Sequence, residues 1–176
     1  MPIAVAVVLG LLASEVAAKE YVITESDFQC VTDWPKPEGH KTRIFNRSKR
    51  RLKKAIKVLQ KGKPNKRYPV GTIVELVPPL PVVNFFGEAM AKREKGFNPE
   101  ANDWEFFVLS ANPDGSTRIV QRGRGDVVNI GLPCQTCHIA AKKFDLVCES
   151  GRGCIPLDLT DDFIARVQEL DPRCAP

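Results

Sequence analysis

The sequence predicts an α+β domain in which an antiparallel β-sheet is flanked by helices, with a helix carrying a short cysteine-histidine motif near the C-terminus. Three observations carry this prediction. Between Lys41 and Arg67 apolar residues recur at three-to-four-residue steps, from Thr72 the period drops to two, and beyond Pro133 helical spacing returns. A composition with 43% hydrophobic residues is enough to bury a core, and residues 19–176 have the length of one folding unit.

The first helix is expected where Phe45, Leu52, Ile56 and Leu59 form one apolar stripe, with Ser48 and Ala55 filling in and Gly62-Lys63-Pro64-Asn65 as the stop. The stretch Lys41 to Arg67 holds thirteen Lys or Arg and no Asp or Glu. It therefore reads as a helix packed on the core with a solvated basic back; the functional alternatives are a docking face for nucleic acid, anionic lipid or an acidic redox partner, of which the acidic partner is preferred. Thr72 to Val77 is strand-like and ends at Pro78-Pro79, and Trp104 to Leu109 is a second, aromatic-rich strand. Asn112-Pro113-Asp114-Gly115 is a turn signal, so Thr117 to Gln121 is the return strand of a hairpin. Asp126 to Asn129 adds a short strand. The next helix is expected from Pro133, in its first turn, to about Val147. A last helix has Thr160 as cap and Asp161 and Asp162 against the dipole. It places Phe163, Ile164, Val167 and Leu170 on one face and stops before Pro172.

The helix from Pro133 opens with Cys134-Gln135-Thr136-Cys137-His138, a C-x-x-C-H pattern and the attachment signature of c-type haem. Two thiols on one turn can each add to a porphyrin vinyl group. The histidine beside the second is then held against the iron as its axial ligand, so Cys134, Cys137 and His138 are the cofactor site and His138 the metal ligand. The competing readings are a redox C-x-x-C and half of a zinc site.

Covalent haem attachment requires export, and the N-terminus fits. Ile3 to Leu12 is an apolar run too short to span a bilayer, where about 20 residues are needed. Val16-Ala17-Ala18 is a small-residue cleavage pattern, so residues 1–18 read as a signal peptide removed after Ala18. No Lys or Arg precedes the run, which leaves retention as an anchor open. Residues 19–67 then form an N-terminal segment with the basic helix, and 68–176 the haem-binding part. Export to a periplasm-like compartment makes nucleic acid an unexpected partner for the formal charge of +5.

Four cysteines lie outside the motif. Cys148 and Cys154 flank a Gly-containing loop, and Cys30 and Cys174 lie near the two ends, so the expected disulfides are Cys148–Cys154 and Cys30–Cys174. The rival is a zinc site of Cys134, Cys137, Cys148 and Cys154, whose second pair has poor spacing.

Beyond these local readings, Tyr68-Pro69-x-Gly71-Thr72, Phe97-x-Pro99-x-x-Asn102-Asp103-Trp104-Glu105-Phe106-Phe107, Arg122-Gly123, Asn129, Gly131 and the late C-x-x-C-H together resemble the cytochrome P-460 family, which includes the cytochromes c′-beta. The resemblance covers roughly Tyr68 to Cys154. It implies a homodimer and one haem c held by the residue matching His138, with the opposite side of the iron open to a small ligand. One branch of the family oxidises hydroxylamine, and the other binds nitric oxide or carbon monoxide. The oxidising branch cross-links a lysine of its β-body to the porphyrin. The strand Thr72 to Val77 has no lysine, and the candidates that follow it, Lys92 and Lys95, fall in a stretch read as irregular, so the cross-link is expected to be absent. Phenylalanines cap the iron in the c′-beta branch; the candidates here are Phe85, Phe86, Phe97, Phe106 and Phe107, most of which read as ordinary core.

A sixth protein ligand would come from Met90 or His40 and would make the haem a six-coordinate electron carrier. No methionine follows Cys134, so the open site is preferred. Glu75, Glu88 and Glu105 are candidate proton carriers beside a bound nitrogen ligand, although each reads more readily as solvent-facing. No serine-histidine pair, glycine-rich phosphate loop or obvious carboxylate pair is present. The expected function is thus an exported mono-haem cytochrome that binds nitric oxide or a related nitrogen ligand. The alternatives are a hydroxylamine-oxidising enzyme and a plain electron carrier.

Overall fold

The computed structural model describes residues 21–80, 86–129, 131–155 and 159–174. Residues 1–18, the expected signal peptide, and Phe85 lie outside them. None of the described helices is long and apolar enough to cross a membrane.

The fold is the expected α+β arrangement, built on a five-stranded antiparallel sheet in meander order. Its strands are β1 (Arg43–Phe45), β2 (Ile73–Glu75), β3 (Gly87–Lys92), β4 (Trp104–Ala111) and β5 (Thr117–Gly123). The strand row Ile44, Val74, Met90 and Phe106 shows the register, and a bulge at Val108/Leu109 offsets β5. Two of these strands depart from expectation. Phe45 belongs to β1, paired with Ile73, and not to the helix stripe. The reason is local: Asn46 Oδ1 accepts from Ser48 N at 3.0 Å, and Ser48 Oγ then caps the helix at Arg51 N, so the helix cannot begin earlier. The stretch that includes Lys92, expected to be irregular, forms β3. Its sequence, GEAMAK, is poor in strand formers, and pairing with β2 on one side and β4 on the other makes the strand.

Helix α1 (Lys49–Lys61) ends at Gly62, whose φ of 52° lets its N–H bond the carbonyls of Val58 and Leu59. Ala55 and Leu59 are buried against Ile44, Val74, Met90, Trp104, Phe106 and Val108 on one face of the sheet. The other face, Ile73, Ala89, Ala91, Phe107 and Leu109, is covered by Ile23, Phe28, Val31 and Trp34 of the N-terminal segment. β1 and α1 therefore share one sheet and one core with the chain beyond residue 68.

Gly71 is required where it stands. Its φ is +80°, and a Cβ there would lie 2.5 Å from the ring of Tyr21. Thr72 forms a turn on the Pro69 carbonyl, which is why β2 starts one residue later than expected. Helix α3 (Asp161–Glu169) has the expected Thr160 cap, bonded to Phe163 N at 3.1 Å. Only Ile164 and Val167 of its four expected core residues are buried. Phe163 and Leu170 are 43% and 65% exposed, because α3 meets a single apolar patch that includes Val77 and Leu80. Gln168 anchors it instead, donating to the carbonyls of Lys41 and Leu76. The expected disulfides are both present: Cys30–Cys174 joins the two ends, and Cys148–Cys154 closes the short loop.

Candidate functional site

A two-residue hairpin of β6 (Val128–Asn129) and β7 (Leu132–Pro133) delivers the chain to α2 (Cys134–His138). Cys134 N donates to Val127 O at 2.9 Å, which fixes where the helix starts. Pro133 is its cap residue and not, as expected, its first turn. In a helix, positions i, i+3 and i+4 share one face, so Cys134, Cys137 and His138 point the same way. Cys134 packs against the core cluster of the sheet, and the ring of Phe106 lies 5.8 Å from that of His138.

The expected long helix to Val147 does not form. α2 covers five residues and passes into 3₁₀ turns over Ile139–Phe144, kinked at Ala141. The chain then enters the left-handed region at Asp145 (φ 58°) and Leu146 (φ 63°), a conformation that costs about 1–3 kcal/mol per residue without glycine. Surrounding bonds impose it. The buried Asp145 carboxylate accepts from Tyr68 N at 2.7 Å, Arg67 Nη1 at 2.8 Å and Lys92 Nζ at 2.7 Å. Trp104 Nε1 donates to the Asp145 carbonyl at 2.6 Å. These bonds draw the chain out of helical register, and the consequence falls on His138. The Leu146 carbonyl is turned back to lie 2.7 Å from His138 Nδ1.

A carbonyl only accepts, so Nδ1 carries the proton and Nε2 presents a lone pair, the tautomer in which a histidine binds a metal. Burial lowers the His138 pKa, which favours the same neutral ring. The thiol of Cys134 is pushed up to about 12, first by burial and then by the charge of Glu88. Cys134 and Cys137 are not in disulfides. A thiol held protonated in this way is a poor nucleophile for disulfide exchange, which counts against the redox reading of C-x-x-C. The four-cysteine zinc site is excluded, because Cys148 and Cys154 are bonded to each other. Two uncommitted thiols and a histidine with Nε2 available, on one helical face, fit a covalently attached haem.

The other candidates fall in three places. On the face of the sheet towards the motif stand Glu88, Met90 and Lys92, alternate residues of β3. Glu88 accepts from Asn129 Nδ2, and its charge is felt at both Cys134 and His138. Met90 is buried between Val74 and Phe106. Lys92 is buried, its ammonium bound to Asp145 and, at 2.5 Å, to the Asn102 carbonyl. On the opposite face lie Glu75 and Glu105, both buried rather than solvent-facing. Glu75 pairs with Arg173 at 2.7 Å, and Glu105 with Arg93 and with Arg122 at 2.7 Å. Phe107 is there too, 5.0 Å from Phe28. Elsewhere, Lys95 is exposed in a turn, Phe86 is 41% exposed, and Phe97 packs under Arg93 and Arg124.

His40 lies 3.5 Å from Glu149, the neighbour of Cys148, whose sulfur is 3.6 Å from His138 Nδ1. That is the side of His138 facing away from Nε2. A depression of about 950 Å³ borders α2 along Gln135, Thr136 and Ile139, behind the helix face that holds the thiols.

Sequence reasoning missed Asp145, Arg67, Arg152 and the Glu88–Asn129 pair. Arg152, in the Cys148–Cys154 loop, donates to the Leu59 carbonyl at 2.8 Å and so ties the loop beside His138 to the end of α1. No local signal marks any of these, since each acts through a partner distant in sequence. Compared with known proteins, the chain matches no family model, no curated protein and no solved structure, so the resemblance to the cytochrome P-460 family rests on the residues quoted above.

Proposed function

We propose that the chain is an exported mono-haem c-type cytochrome with haem attached at Cys134 and Cys137, His138 as axial ligand, and the other side of the iron open to nitric oxide or a related small nitrogen ligand. The observation that carries the reading is the 2.7 Å bond from His138 Nδ1 to the Leu146 carbonyl, which leaves Nε2 as the free ligand atom beside two unpaired thiols. When bound, the haem supplies an iron centre for small ligands and electrons. The chain's own residues do the rest. Leu146 orients His138, Asp145 holds Leu146, and Phe106 sets an apolar wall beside the imidazole. Two disulfides agree with an oxidising compartment. Val128 and Leu132, 42% and 47% exposed on the hairpin before α2, are apolar surface that the expected homodimer would bury.

The open sixth position is supported by the placement of both rivals. His40 is on the Nδ1 side of His138, and Met90 is packed into the core. A lysine cross-link from Lys92 is disfavoured, since its ammonium is committed to Asp145. One observation keeps hydroxylamine oxidation as a second reading: Glu88 is a carboxylate facing the motif, held by Asn129, where it could take up a proton.

The optical spectrum of the ferrous protein tests these readings together. The expected result is a five-coordinate haem that binds nitric oxide, with the spectrum unchanged in Met90→Leu and His40→Ala. A low-spin spectrum that turns high-spin in either variant contradicts the open site. Hydroxylamine turnover that is lost in Glu88→Gln would replace ligand binding with oxidation.

A further inference from the structure

Helix α1 carries a feature that core packing does not require. Its exposed side is a row of like charges, Lys49, Lys53, Lys57 and Lys61, each four residues from the next, with Arg50 and Lys54 beside it. Like charges at this spacing each destabilise a helix by about 0.2–0.5 kcal/mol. The first turn, Lys49 to Arg51, is wholly basic, against the sign that the helix dipole favours there. A face that served only to meet solvent would gain from acidic residues at these positions, and it has none. None of the six has an ion-pair partner among the described residues. The charge continues past Gly62. Asn65 N bonds the Lys143 carbonyl at 2.6 Å, which brings exposed Lys63 and Lys66 beside exposed Lys142 and Lys143.

The chemistry of the patch says what would cover it. Specific protein interfaces have an apolar, aromatic centre and are depleted in lysine. This face is rich in lysine, and its apolar residues Leu52, Ile56 and Val58 are turned to the core. A flat, diffuse array of phosphodiester charges is the complementary surface. On the export proposed above, with which the two disulfides agree, nucleic acid is not an expected partner, which leaves lipid headgroups.

We infer that the basic face of α1 binds the surface of a bilayer containing anionic phospholipid. The contact is electrostatic and inserts no side chain. It holds whether or not the chain carries haem.

The test is partitioning of the full chain onto phosphatidylcholine vesicles with and without phosphatidylglycerol. The proposal expects binding that depends on phosphatidylglycerol and is lost near 1 M salt, where the screening length is about 3 Å. In Lys53→Gln/Lys57→Gln/Lys61→Gln, which keeps good helix formers, partitioning should drop about 100-fold, at roughly 1 kcal/mol per lysine near an anionic surface. A control with the same loss of charge elsewhere, Lys36→Gln/Lys95→Gln/Arg118→Gln, should change it far less. Equal drops in both variants would reduce the effect to net charge and overturn the proposal. So would binding indifferent to phosphatidylglycerol, or binding to an acidic protein such as bovine serum albumin without binding to the vesicles.

Discussion

The two faces of the sheet are built on different principles. The face covered by the N-terminal segment is closed: Ile23, Phe28, Val31 and Trp34 fill it, and the carboxylates Glu75 and Glu105 at its margins are each matched by arginines. Its ends are tied by Cys30–Cys174. The face towards α2 has a buried lysine, a carboxylate near the thiols, two uncommitted cysteines and two non-glycine residues in left-handed conformation. Left-handed backbone and two cysteines outside any disulfide mark one side, and carboxylates matched by arginines mark the other, so the proposed ligand site and the closed, cross-tied core lie on different faces. Asp145 makes the link, since one carboxylate stabilises the core and also sets the carbonyl that orients His138.

Four experiments sharpen or break that comparison. The largest effect belongs to the closed face. Replacing Cys30 and Cys174 by serine opens a separation of 144 residues and should cost about 5 kcal/mol by loop entropy, read from denaturant unfolding, with no change in the haem spectrum. Next, Asp145→Ala and Glu75→Ala should each cost about 3–5 kcal/mol, since each removes one partner of a buried charge pair. Only Asp145→Ala should also alter the haem spectrum, by freeing Leu146 and with it His138. If Glu75→Ala altered it equally, the division between the faces would fail.

Replacing Cys148 and Cys154 by serine opens a separation of 6 residues and should cost about 2–3 kcal/mol in the same measure. Here a small spectral change is expected, because Cys148 lies against His138. The smallest effect is one of pH, in a chain whose motif cysteines are serine, so that His138 stays free to titrate. Burial lowers its folded pKa, so the unfolded chain binds the proton more readily. Burial pushes the Glu75 carboxyl up to about 7, which acts in the opposite sense, so the quantity to follow is the stability difference from the same chain with His138→Asn. That difference should be flat above about pH 6.5, the ordinary histidine value, and fall as pH drops below it. A rise in the difference over that interval would contradict the buried, neutral ring.

What the sequence disclosed was what a local pattern can encode. Ser48 and Gly62 bracket α1, Asn112 to Gly115 turns the β4–β5 hairpin, Thr160 caps α3, and the spacing of C-x-x-C-H alone suggested the proposed haem site. Phe45 misled because a three-residue strand that ends at a helix cap continues the helical stripe. Strand β3 was hidden for the opposite reason, since alanine, glycine and lysine carry no strand preference and only neighbours define it. Glu75 and Glu105 read as solvent-facing because charged residues usually are, and Lys92 read as part of an irregular stretch. They are buried here on account of Arg173, Arg93 and Asp145, which lie 98, 12 and 53 residues away. Pairings of that kind are properties of the fold.

The central claim is that Cys134, Cys137 and His138 hold a covalent haem, and the most direct test is the denatured mass of the protein purified after export, with thiol alkylation. The account predicts a mass above that of the chain by one haem, no alkylation at Cys134 or Cys137, and no haem released into acidified organic solvent. The mass of the chain alone, with both cysteines alkylated, would contradict it.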